Sequence, residues 1–119
     1  MIRHTQTIFV DDPRGIPGDC MRTAVASLLD LPTEAVPHFA LFDAPGDWYK
    51  AFMLWLAGRD LIVRPTRQAD IDRPCLAIGM SPRCVEHVVV WGREGLLHDP
   101  HPSGAGIEAR QFWYVEPER

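Results

Sequence analysis

This chain has no continuous apolar segment long enough to cross a bilayer or to serve as a secretory leader, and it opens with the mixed string Met1-Ile2-Arg3-His4-Thr5-Gln6. A cytoplasmic protein without a membrane partner is therefore expected. It has no basic run, and its formal net charge is −4, so phosphate contacts are not supplied and no nucleic-acid partner is expected. There is no Cys-x-x-Cys pair. The three cysteines, Cys20, Cys75 and Cys84, cannot all pair within one chain, which points to reduced thiols. The spacing of Cys75, Cys84 and His87 fits no zinc pattern, and no fourth ligand accompanies them. No metal and no organic cofactor is expected. Internal repeats and low-complexity segments are also lacking, and 119 residues, 46% of them hydrophobic, suffice for a single domain over 1–119 with a real core.

What is present is a cysteine where a loop turns into a helix. In Gly18-Asp19-Cys20-Met21-Arg22-Thr23-Ala24-Val25-Ala26-Ser27-Leu28-Leu29, apolar residues recur at Met21, Ala24, Val25, Leu28 and Leu29, the series of one buried helical face. Pro13, Gly15, Pro17 and Gly18 break regular structure upstream, and Asp19 is placed to accept hydrogen bonds from the first turn. Cys20 thus occupies a helix N-terminus, where free N–H groups and the helix dipole favour thiolate over thiol. Near neutral pH it is expected to alkylate faster than Cys75 or Cys84. The competing reading is a small buried hydrophobe.

Along the chain, Thr7 to Val10 reads as strand or extended, and Asp11 to Gly15 as turns. The first helix should run from about Cys20 to Leu29. Leu31 to Pro37 is a proline-bounded single turn with Thr33 as its cap, packing Val36 and Phe39 on the core. After a turn and cap at Pro45-Gly46-Asp47, a second helix carries Trp48, Phe52, Trp55 and Leu56 on one face and ends at Gly58. Leu61-Ile62-Val63 is a short strand, Arg64 to Arg73 a loop, and Cys75 to Met80 a strand apolar enough to be central in a sheet. Val85 to Trp91 and Leu96 to Asp99, joined by Gly92-Arg93-Glu94-Gly95, form an antiparallel hairpin. A glycine-rich loop through Gly104 and Gly106 leads to the last strand, Phe112 to Val115. The fold class expected is α+β, with N-terminal helices packed on an antiparallel sheet. The four tryptophans read as core and cleft wall, since no basic residues interleave with them.

A thiol nucleophile needs a base, and the base needs a third group to fix its tautomer. Cys20, His87 and Asp99 can form that set, because the hairpin brings His87 and Asp99 together. A strict two-residue turn at Arg93-Glu94 pairs Val88 with Asp99 and leaves His87 and Asp99 on opposite faces. A three-residue loop or a bulge is required. His98 then faces away from Asp99; either His98 or His101 can touch a substrate, but on a strand end or surface loop a solvated or hydrogen-bonded histidine is the commoner state. His38 reads as a local packing residue and His4 as part of a frayed terminus.

Gly-Asp-Cys opening an apolar helix, then His87-Val88-Val89-Val90-Trp91, then Leu97-His98-Asp99-Pro100, resembles the papain-like cysteine peptidases. The likeness is nearest to the compact branch related to bacteriocin leader peptidases and to small papain-fold proteins of bacteria and their phages. It implies a papain-like fold, a peptide or protein substrate and a covalent acyl-enzyme. Cys20 would be the nucleophile, His87 the general acid/base and Asp99 the orienting residue. The resemblance also implies a glutamine that helps the Cys20 N–H bind the oxyanion. Gln6 is the one glutamine upstream, fourteen residues before Cys20, farther than the family places it. Without Gln6, another donor near Asp19 would complete the oxyanion hole. The reading is thus a small thiol hydrolase, peptidase or amidase. Its alternatives are a catalytically silent papain-fold binding module and a deamidase or acyltransferase on the same fold.

Overall fold

The computed structural model describes residues 1–9, 13, 18–39, 48–69 and 73–117. The expectations for Val10, for the turn residues 11–12 and 14–15, and for the cap at 45–47 lie outside these residues. The chain is an α+β domain. Among the described residues, helices α1 (Cys20–Leu28) and α2 (Trp48–Ala57) precede five strands, β1 (Leu61–Thr66), β2 (Cys75–Met80), β3 (Glu86–Gly92), β4 (Gly95–His98) and β5 (Glu108–Pro117). The strands form one antiparallel sheet in the order β1-β5-β2-β3-β4.

The central place of β2 explains its unbroken apolar run. Leu76 and Ile78 face the helices with Val88, Val90 and Trp113, where Ala24, Val25, Phe39, Phe52 and Leu56 complete the main core. Cys75 and Ala77 face the other way, with Val89, Phe112 and Tyr114. Val36 and Phe39 are buried as expected, although the 3-10 turn Thr33–Ala35 beside them has no side-chain cap, so Thr33 does not cap it.

Three boundaries differ from the sequence reading. Thr7 to Phe9 is irregular rather than a strand, because it pairs by single hydrogen bonds with loop and helix-cap groups. Arg64-Pro65-Thr66, expected as loop, extends β1; β1 is an edge strand, where a proline without an N–H leaves no ladder bond unmade. The last strand begins four residues early, at Glu108, because its first residues pair with the second half of β2, up to Met80 opposite Glu108.

Gly79 lies opposite His87 on β3 and Ala109 on β5, where the β2–β5 register shifts. A Cβ there would stand 1.9 Å from the Glu108 carbonyl oxygen. That close approach requires glycine. Gly79→Ala is therefore expected to cost about 3 kcal/mol of stability, at the upper end of overpacking penalties, measured by urea unfolding. A loss below about 0.5 kcal/mol, the scatter of neutral surface substitutions, would mean that β5 moves away freely.

Candidate active site

Helix α1 delivers Cys20 at its first residue. Its N-terminus is set by Asp19, though not by the expected side-chain cap. The Asp19 carboxylate makes no bond to the first turn; it accepts the Ile8 N–H at 3.1 Å and the Thr7 hydroxyl at 3.4 Å. Asp19 N–H donates in return to the Ile8 carbonyl, and the Asp19 carbonyl accepts both the N–H and the hydroxyl of Thr23. Asp19 thus ties the N-terminal segment to the start of α1.

His87 and Asp99 meet because the hairpin is bulged. The turn at Arg93-Glu94 is the two-residue kind, with Gly92 opposite Gly95 and Trp91 opposite Leu96, but the register then shifts so that Val90 lies opposite His98. Leu97 is the extra residue. Continued by one step, that register sets Asp99 opposite Val89, on the face of β3 that His87 shares by alternation. The pairing is diagonal rather than direct. His87 Nε2 lies 2.6 Å from Asp99 Oδ1, and both side chains are almost wholly buried. An ionised carboxylate only accepts, so Nε2 carries the proton and Nδ1 is the basic nitrogen of the neutral ring. Asp99 also accepts the His101 N–H at 2.9 Å and the Gly106 N–H at 2.8 Å.

Beyond Val90, β4 no longer pairs with β3. The Val88 N–H there favours the ionised form of the Cys20 thiol.

Gln6 reaches the same place along a tethered strap. The Met1 ammonium pairs with Asp30, His4 bonds Ser27 Oγ and the Leu31 carbonyl, and His98 Nε2 donates to the His4 carbonyl. The terminus is therefore pinned rather than frayed. Gln6 N–H donates to the Pro100 carbonyl at 2.9 Å, next to Asp99. Its side-chain Nε2 gives one proton to the Ile8 carbonyl at 2.9 Å, which leaves a second N–H. Gln6 is 6% exposed, not a surface residue.

Comparison with protein-family models, curated proteins and solved structures finds no match for this chain. The site is therefore read from its own geometry. Cys20 and His87 line two cavities. One, of about 520 Å³, is walled by Gln6, Phe9, Arg83 and His101. The other, of about 230 Å³, is walled by Met21, Trp48, Ile78 and Val88. Trp48 is braced by stacking on Trp113.

Electrostatics differ from the sequence expectation at one residue. Burial pushes the Cys20 thiol up, more than the N–H groups of Val88 and Met21 pull it down, and the charges of Asp19 and Asp99 add to the rise. Burial likewise holds His87 below its ordinary value, against the hydrogen bond and charge of Asp99, with Arg83 and His101 lowering it further. Burial alone would raise Asp99, but hydrogen bonds from His87, Gly106 and His101 keep it below the usual carboxylate range. Both shifts favour a thiol and a neutral imidazole over the thiolate–imidazolium pair.

Cys75 is buried in the far face of the sheet and Cys84 is exposed. Among the described residues no cluster suited to a metal ion is present. His101, read from the sequence as a loop histidine, stands in the cavity wall with its ring 6.2 Å from that of His87. The Asp-Pro-His string was legible, but not which of His98 and His101 would face the cavity.

At pH 7, iodoacetamide is expected to label the exposed Cys84 before Cys20, the reverse of the order a helix N-terminus alone suggests. Peptide mass spectrometry of the folded protein reads the order, and faster labelling of Cys20 would show that its thiolate is already formed.

Proposed function

We propose that this protein is a thiol hydrolase with a papain-like arrangement, acting on amide or thioester carbonyls through Cys20, His87 and Asp99. The reading is carried by the buried His87–Asp99 pair, whose imidazole lines the same cavities as a cysteine at a helix N-terminus. The order of elements, a cysteine helix followed by an antiparallel sheet with the histidine on β3 and the aspartate directly after β4, agrees with the resemblance of the sequence.

Because burial disfavours the ion pair at rest, His87 acts as a general base during attack rather than before it. Nδ1 takes the Cys20 proton as sulfur bonds to the carbonyl carbon. Asp99, fixed in its ionised state, stabilises the imidazolium that forms. The Cys20 N–H has no acceptor within the helix, and with the second N–H of Gln6 it receives the developing oxyanion. The imidazolium then protonates the leaving amine as the C–N bond breaks, and a water activated by His87 releases the acid. An amine in place of that water would make the same acyl-enzyme a transferase, and a side-chain amide as substrate would make it a deamidase. No step needs a metal or an organic cofactor. A binding module that has kept the triad is the competing reading, favoured by the raised thiol alone.

Acylation by p-nitrophenyl acetate separates the two. A burst of nitrophenol and an acetyl adduct on Cys20 are expected, absent in Cys20→Ser and slowed about 10²- to 10⁴-fold in His87→Ala, the usual contribution of a general base. Since His87 titrates low, the acylation rate should hold at neutral pH and fall only below about 6.5, where a free imidazole protonates. An adduct on Cys84 alone, with Cys20 unmodified, would leave the binding module as the answer.

A further inference from the structure

Arg83 stands in the wall of the larger cavity with Cys20 and His87, and hydrolysis gives it no part. The turn that carries it, between β2 and β3, is closed on itself. The N–H and the hydroxyl of Ser81 both donate to the Val85 carbonyl at 2.9 Å, and the Cys84 N–H donates to the Ser81 carbonyl at 3.0 Å. The guanidinium is held in turn. Its Nη1 donates to the Ser103 hydroxyl oxygen at 3.2 Å, and that oxygen also accepts the Ala105 N–H at 3.3 Å and lies 2.8 Å from His101 Nδ1. His101, whose Nδ1 accepts the Ser103 N–H at 3.1 Å, lines the same cavity and is braced edge-on by Phe9.

A guanidinium offers five N–H donors. Among the described residues Arg83 gives one of them, to a neutral oxygen. Arg64 and Arg73, by contrast, both pair with the Glu116 carboxylate. Glu86 shares the cavity wall but forms no ion pair with Arg83 among the described residues. Phe9, Val85 and Pro102 line the cavity as well, and apolar walls leave a charge poorly screened. Nor does the charge help proton transfer: it lowers His87, and so opposes the imidazolium that attack requires. An anion seated on Arg83 would cancel that opposition.

Resting on the hydrolase reading above, we propose that the larger cavity receives a carboxylate of the substrate on the Arg83 guanidinium. The substrate class is then an acyl compound with an acidic group close to the bond that is cleaved. In a peptide, that group is an acidic side chain on the acyl side or the chain end just after the bond. Arg83 is a specificity residue that touches substrate, held in place by Ser103.

Paired activated esters test this. On the acyl side, the mono-p-nitrophenyl esters of adipic and pimelic acid are each compared with the same ester methylated at the far carboxyl. On the other side, the acetate of 3-carboxy-4-nitrophenol is compared with that of its methyl ester. In each, the Cys20 sulfur bonds to the ester carbonyl carbon, the C–O bond breaks and the nitrophenolate leaves, while the Cys20 proton passes to His87. Every rate is divided by that with 2-mercaptoethanol, which removes differences in intrinsic reactivity. At least one carboxylate ester is expected to acylate wild-type Cys20 about tenfold faster than its methylated partner, the contribution of a hydrogen bond to a charged group. A preference within the diacid pairs identifies an acidic side chain, and one within the nitrophenol pair the chain end. Arg83→Gln should erase the preference, with the methylated ester as internal reference for any change at His87. Wild-type ratios near one in every pair overturn the proposal without touching the hydrolase reading, and need no variant to fold. A preference that survives in Arg83→Gln overturns it too. If no ester acylates Cys20, the hydrolase reading falls and this one with it.

Discussion

A single carboxylate holds the site together. Asp99 accepts hydrogen bonds from His87, from the N–H of His101 and from the N–H of Gly106, and it does so where water hardly reaches. A buried charge survives only when its lone pairs are filled. Each of the three donors is therefore constrained by the same need: the imidazole of β3 keeps one tautomer, the chain after Asp99 must turn back on itself, and the glycine-rich loop must close over the carboxylate. Removing any one donor would leave charge uncompensated and loosen the other two. This is why residues distant in sequence meet at the cavity with little freedom.

The sheet supplies the geometry that the carboxylate then locks. A regular hairpin would have turned His87 and Asp99 to opposite faces, and one surplus residue, Leu97, restores the facing. The same irregularity lets β4 leave the sheet early, so that the first half of β3 keeps an open edge beside the N-terminus of α1. Cys20 and His87 are consequently supplied from either side of one gap in the hydrogen-bond ladder. The glycine opposite His87 permits β5 to press against β2 behind that gap, which keeps the far side of the strand rigid.

Much of this was legible in the residues. The period of Met21, Ala24, Val25 and Leu28 marked α1, the aromatic spacing of Trp48, Phe52 and Trp55 marked α2, and the unbroken run Cys75 to Met80 marked the centre of the sheet. The need for a three-residue loop or a bulge also followed from counting alone, though its place did not, since nothing in Leu96-Leu97-His98 marks one residue as surplus. Pro65 misled because proline forbids a central strand but not an edge, and edge or centre is decided by pairing partners far along the chain. The state of the Cys20 thiol was beyond a local reading for a related reason. The helix N-terminus acts within one turn and is visible in sequence, whereas burial by β3 and the charges of Asp19 and Asp99 arise only on folding. Gln6 could be named only by its residue type, because the strap that carries it is anchored through His4, Asp19 and Pro100 rather than through any periodic pattern.

That strap bears on when the thiol becomes competent during synthesis. Cys20 lies early in the sequence, whereas the proposed base is the eighty-seventh residue, the group proposed to steady it is the ninety-ninth, and Gly106 closes the carboxylate. The glutamine emerges first of all, yet it finds its seat only against Pro100. Until residues 87–106 have been made, Cys20 stands without these neighbours. The arrangement proposed as a triad therefore comes together only once β3, the bulged hairpin and the loop to Gly106 have folded.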